Sequence, residues 1–129
     1  MNNSIKSKVF FVFSLLFGIM FINAGLDKFF KFMPMPENMP EKMLKAMEAF
    51  NEIGWLMPLV GVAEIIGGLF IIIPKTRALG AIIIFPIMVG IFLTNIVQDS
   101  SGLPIAIVFG SILAWIIYEN RSKYLPMIK

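Results

Sequence analysis

Polar and hydrophobic positions in this chain are sorted into long blocks. Four apolar runs stand out, at about 9–26, 55–73, 78–97 and 103–118. A bilayer core is crossed by about 20 residues of helix, so the first three runs fit and the fourth is at the short end. Helices are the expected form, because no water is present in the core to satisfy an open backbone. The prolines fall as punctuation: Pro58 opens the second run, Pro74 closes it and Pro104 starts the fourth, while Pro86 sits inside the third and predicts a kink there. Between the first two runs the pattern changes. Over 38–53, Met43, Met47 and Phe50 recur at helical spacing, and Lys42, Lys45, Glu48 and Glu52 take the other face. Asn38 and Glu41 stand at capping-box spacing, and Gly54 follows the end. The expectation is an all-α integral membrane four-helix bundle, one membrane domain over 1–129, with an extra extracytoplasmic amphipathic helix between spans 1 and 2.

Composition agrees with that expectation. The chain is 58% hydrophobic and 15% charged, with a mean hydropathy of +0.86, more apolar surface than a soluble globule of 129 residues could hide. The net charge of +3 does not point to nucleic acid, because the basic residues flank the apolar runs. Lys6, Lys8, Lys75, Arg77, Arg121, Lys123 and Lys129 collect on the side of the termini. On the other side Lys28, Lys31, Lys42 and Lys45 share one long loop with Asp27, Glu37, Glu41, Glu48 and Glu52. This bias predicts a multi-pass protein of a bacterial-type cytoplasmic (inner) membrane with both termini cytoplasmic. Trp55 at the outer boundary and Trp115, Tyr118 and Tyr124 at the inner one agree with it. The first run lacks a convincing cleavage site after Lys6 and Lys8, so it is expected to remain as a span.

Cysteine and histidine are both absent, which excludes thiol–disulfide exchange, thiolate-held clusters and histidine-ligated haem or zinc. No covalent cofactor is expected. A redox role would need a bound organic cofactor, a partner subunit, or oxygen and thioether ligands. Thioethers invite the last idea in the stretch with Met33, Met35, Met39, Met43 and Met47. Met39, Met43 and Met47 could share a helix face and hold Cu(I). The amphipathic pattern must bury Met43 and Met47 in any case, so flexible apolar filler on a lid accounts better for them, and no metal is expected.

Ionisable residues inside apolar runs are costly and therefore informative. Glu64 lies about 13 Å along the second helix from Trp55, flanked by Gly61 and Gly68 at positions that let another helix approach. Asn23 and Asp27 are four apart near the outer end of the first span, with Lys28 next, and the third span carries Thr94, Asn95, Gln98 and Asp99 at its outer end. Three helices thus bring polar groups to one level. A buried glutamate either stays neutral and donates to a ligand carbonyl, or pairs with a cation such as Lys28 and ties helices together; both readings stay open. The candidate ligand-binding set is Asn23, Asp27, Lys28, Glu64 and Asn95. Small residues form stripes, Ser14 with Gly18, Ala63 with Gly67, Gly90 with Thr94, and Ala106, Gly110 and Ala114, which predict close helix crossings. Such crossings fit a monomer or a homodimer, with a lean to the latter.

The run "GIMFINAGLDKFF" (18–30), followed by "GVAEIIGGLFIIIPKTRALGAIIIFPIMVGIFLTNI" (61–96), resembles the DoxX and DoxX-like membrane proteins. Their pattern is a first helix ending G-x-x-K-F, a second with E-x-x-G-G, a basic inner turn and a polar position late in the third. The resemblance implies a four-helix membrane bundle. By position it singles out Gly25, Lys28, Phe29, Glu64, Gly67 and Gly68, and it maps the third-span polar position, often histidine in relatives, to Asn95. It also implies membership of membrane oxidoreductase assemblies, as the small subunit of thiosulfate:quinone oxidoreductase is, or a chaperone role like that of distantly similar vertebrate proteins.

Three functions follow as expectations. The first is an accessory subunit of a membrane redox system, binding a quinone or similar lipid-soluble ligand at the outer polar cluster and working with a protein partner. Another is an assembly or scaffold protein in which Glu64 only ties the bundle. The third, a small-solute or proton permease, is disfavoured because the inner half lacks polar residues.

Overall fold

The computed structural model describes residues 3–31 and 38–128; Met33, Met35, Glu37 and Lys129 lie outside them. Among the described residues the regular structure is helical: α1 (Asn3–Phe30), α2 (Glu41–Glu52), α3 (Leu56–Ile72), α4 (Arg77–Val97), α5 (Leu103–Glu119) and α6 (Arg121–Tyr124), with 3₁₀ turns at Ser100–Gly102 and Leu125–Met127.

The helices run past the apolar blocks where nothing stops them. α1 extends through Lys6 and Lys8 at one end and Asp27 and Lys28 at the other. It stops at Lys31, whose φ of 52° is left-handed and whose N–H closes on the Asp27 carbonyl at 2.7 Å, a C-terminal cap made without glycine. α2 begins later than the spacing of Asn38 and Glu41 suggested. Its N-cap is Pro40, with no side-chain cap, because a residue before proline is pushed out of the α region and Met39 cannot continue a helix backwards. Gly54, at φ 74°, turns the corner between α2 and α3, and the two helices meet at 92°. α4 continues unbroken through Pro86, and Pro104 occupies the first turn of α5, where its missing N–H costs nothing.

Three helices, α1, α4 and α5 with its leading 3₁₀ turn, are long and apolar enough to cross a membrane, and a fourth span results if α2 and α3 are counted together. The protein is a multi-pass membrane protein in a lipid bilayer. α1 packs along α3, α3 on α4, α4 on α5, and α5 returns more lightly to α1. The centre holds Phe17, Phe21, Ile71, Ala81, Ile84, Met88, Ala106, Leu113 and Ile116. Large apolar side chains also cover the outside of every long helix, among them Leu16, Leu59, Phe85 and Ile105, an arrangement that suits hydrocarbon and not water.

Without a hydrophobic drive between helices in lipid, association depends on close packing. A Cβ placed on Gly18 would lie 2.5 Å from the Gly68 carbonyl oxygen, and one on Gly25 would lie 2.5 Å from that of Gly61. The backbones of α1 and α3 therefore touch at two levels. Gly67 faces Ile84, with 2.7 Å left for a Cβ, and Gly110 faces the Phe92 ring at 2.6 Å. Gly90 differs: a Cβ there would meet nothing within 4 Å, so it is not at a helix crossing. Its face of α4 borders an opening and not a neighbouring helix.

The end that carries both termini is closed by aromatic and cationic contacts. Trp115 meets Phe10 and Phe13 edge-on at 5.0 and 5.8 Å. The Arg77 guanidinium lies 5.2 Å over Phe10 and donates to the Ile71 and Ile72 carbonyls at 2.7 and 3.2 Å. Lys6 pairs with Glu119 at 3.1 Å.

Candidate functional site

On the far side from the termini, α1, α2, α3 and α4 border an open cavity of about 500 Å³. Each wall follows from a local pattern. α2 contributes Met43, Met47 and Phe50 from its apolar face, while Lys42, Lys45, Glu48 and Glu52 stay exposed. The 92° corner at Gly54 folds that face back over the start of α3, which adds Leu56, Met57, Val60 and Glu64. α4 adds Pro86, Gly90 and Thr94, one stripe at intervals of four, together with Ile87, Ile91 and Asn95. The small Gly90 leaves room where a larger residue would fill it.

The polar part is compact. The Lys28 ammonium donates to Glu64 Oε1 as an ion pair between α1 and α3. Glu64 is buried, and the Lys28 side chain keeps 21% of its surface. Lysine has three N–H donors, and Glu64 is the ion-pair partner of Lys28 among the described residues. Lys28 is set by the glycine crossing: a Cβ on Gly61 would lie 3.3 Å from Lys28 Cβ, and Glu64 is one turn further along α3. Asn95 also borders the cavity, but its amide N–H donates to the Ile91 carbonyl at 2.8 Å and its oxygen lies against Gly102. Thr94 adds a hydroxyl.

The structure brings Lys28, Glu64 and Asn95 of the sequence-derived set together, and leaves Asn23 and Asp27 outside the cavity wall. Asn23 is exposed and Asp27 half-buried. The reason is helical phase: at about 100° per residue, Asn23 lies about 200° around α1 from Gly25, which faces α3. Sharing a level along the axis did not mean sharing a face. Met43 and Met47 reach the cavity and Met39 does not line it, and among the described residues no acidic cluster suited to a metal occurs.

Among the residues that escaped the sequence reading are two of the cavity wall, Met57 and Pro86, and a buried cation at the opposite end, Arg77. The interval from Pro86 to Gly90 and Thr94 was a signal for Pro86. Arg77 is buried against the α3 carbonyls, and its place just beyond a helix end was the cue.

The chemistry available is that of largely apolar walls with two thioethers from α2 and the Lys28–Glu64 ion pair. No curated protein and no solved structure matches the chain. The family model described as DoxX matches residues 10–96, more than half of the sequence and a stretch that contains Lys28, Glu64 and Asn95; on that match the chain belongs to the DoxX family.

Proposed function

We propose that this DoxX-family protein holds a quinone-like or other lipid-soluble ligand in the cavity under α2, as an accessory subunit of a membrane redox system. The observation that carries this reading is the ion pair of Lys28 and Glu64 in the wall of a largely apolar cavity. An ion pair in such surroundings is expensive to desolvate, and a ligand carbonyl or oxyanion would engage the remaining Lys28 protons there. Glu64 keeps Lys28 in place, so Lys28 and not Glu64 is the donor to the ligand. Electrons would come from a protein partner, because the chain has neither cysteine nor histidine to carry a centre.

The same proposal includes the architecture around the site. α1, α3, α4 and α5 form a single four-helix membrane domain, with α2 lying at the extracytoplasmic surface as a lid. Support comes from the half-buried Met43, Ala46, Met47 and Phe50 on one side of α2 and its exposed charges on the other. The basic residues at the terminal end, Lys6, Lys8, Lys75, Arg121 and Lys123, favour that end as cytoplasmic and the membrane as a bacterial-type inner membrane.

The test is mass spectrometry of the organic extract from protein purified in mild detergent, with Gly90→Leu as the comparison. Gly90 has open space around its Cα, so a leucine there occupies the cavity without forcing helices apart. A quinone or one defined lipid enriched with wild type and lost from Gly90→Leu at equal folded yield is the expected result. Extracts that hold only bulk lipid in both would sink the ligand reading and leave a scaffold role, to be followed by crosslinking through α2.

A further inference from the structure

A second recess is separate from the ligand cavity and shares no residue with it. It is a groove of about 580 Å³ between α4 and α5, open to the outside of the helices. Its floor is Gly110 against the Phe92 ring, and Phe85, Val89 and Ala114 stand along its rims. From Gly110 to Arg121 it runs about 17 Å at 1.5 Å per residue, close to the roughly 15 Å depth of one leaflet. The walls are apolar until the last turn, where Tyr118 and Arg121 end the groove.

Arg121 is held there and not merely tethered. Its Nη1 donates to the Tyr118 carbonyl at 2.8 Å, and its guanidinium lies 4.1 Å over the Tyr118 ring. One of its five N–H donors is thus used among the described residues. The surroundings are cationic: Lys6, Lys8, Lys75, Arg77 and Lys123 belong to the same end, and its acid, Glu119, is paired with Lys6.

We propose that the α4–α5 groove is a binding site for one anionic phospholipid, its acyl chain lying along Gly110 and Ala114 and its phosphate on the Arg121 fork. Length and charge choose this occupant. The groove accepts one chain across one leaflet, and it ends on a planar donor group that matches phosphate geometry. The excess of basic residues favours a net-negative headgroup over a zwitterionic one. A second copy of the chain would bring its own apolar helix face but would leave the Arg121 donors unmatched.

Native mass spectrometry from mild detergent tests this, with phosphatidylglycerol and phosphatidylethanolamine of identical chains titrated separately into wild type, Arg121→Gln, Arg121→Lys and Ala114→Phe. Wild type should hold one phosphatidylglycerol about tenfold more tightly than phosphatidylethanolamine, the size of one charge-assisted contact. Arg121→Gln should weaken both lipids about tenfold, because both carry the phosphate, Arg121→Lys should weaken them less, and Ala114→Phe should lose both by filling the groove. Equal affinity for the two lipids in wild type, or retention of phosphatidylglycerol unaffected by Arg121→Gln, would overturn the proposal. So would a lipid-free dimer of wild type that Ala114→Phe splits, since the occupant would then be a second copy. Circular dichroism of each variant separates lost binding from lost folding.

Discussion

Lys28 lies across Gly61 and ends on Glu64, so one of the two backbone approaches of α1 and α3 and the ion pair are parts of one contact. The pair can form because no side chain at Gly61 separates the two backbones. We expect Glu64→Gln alone to cost about 3–5 kcal/mol, since it leaves the Lys28 charge buried without a counterion. The double variant Lys28→Met with Glu64→Met should recover most of that stability, because an apolar pair of similar volume removes the desolvation cost. Denaturation in detergent micelles measures both. If the double variant is as unstable as the single one, the pair ties the helices together by more than its charge.

Substitutions at the glycines should divide by what faces them. Gly18→Ala and Gly25→Ala push a methyl group against a carbonyl oxygen of α3 and should each destabilise by about 1–3 kcal/mol. Gly90→Ala meets open space and should be neutral or stabilising by up to about 1 kcal/mol, the helix propensity gained. Similar losses at all three positions would contradict the crossing geometry.

Ser14 is fully buried in α1, and its hydroxyl has no hydrogen-bond partner among the described residues. Removing it as Ser14→Ala should raise stability by about 1 kcal/mol, the penalty of an unmatched buried hydroxyl. A loss of stability would show that the hydroxyl has a partner in the membrane.

The lid distinguishes apolar filling from metal binding. Met43→Leu with Met47→Leu keeps volume and removes both thioethers, so retention of an organic ligand should be unchanged within about twofold, an energy below that of one hydrogen bond. Titration with Cu(I) under anaerobic conditions should show no binding by wild type that this variant loses. Saturable Cu(I) uptake confined to wild type would restore the methionine site.

Tyr124 ties the C-terminal segment to the start of α4 through its hydroxyl, which donates to the Ala78 carbonyl at 2.7 Å. Burial raises the phenol above its ordinary value. A group whose folded value is raised contributes fully below its unfolded value of about 10 and loses that contribution as pH rises through the folded one. Tyr124→Phe should therefore cost about 1 kcal/mol at pH 8, and the difference from wild type should shrink in strong alkali. A gap that stays constant with pH would place the effect elsewhere.

The all-helical class was legible because long apolar blocks leave a membrane chain few alternatives. Glu64, with Gly61 and Gly68 around it, was legible as the centre of interest because a carboxyl group inside an apolar run is rare and costly. What escaped was angular. Asn23 and Lys28 lie within two turns of each other, yet phase around α1 sends one outward and the other across Gly61. Gly90 carried the same small-residue signature as Gly18, and only the neighbouring helix decides whether a missing side chain means contact or space. The start of α2 has a local reason: the restriction that Pro40 imposes on Met39 outweighs the capping spacing of Asn38 and Glu41.

The carbonyl-to-glycine approaches at Gly18 and Gly25 also set where the molecule can yield. α1 and α3 meet backbone to backbone at two levels, and sliding one past the other would drive main-chain atoms together. α2 hangs on a glycine corner, and a side chain at Gly90 of α4 would meet open space. A ligand entering the cavity therefore has one compliant boundary, α2 and the Gly90 side of α4, working against a stiff back formed by α1 and α3. On the proposed reading, admission and release would be motions of that boundary.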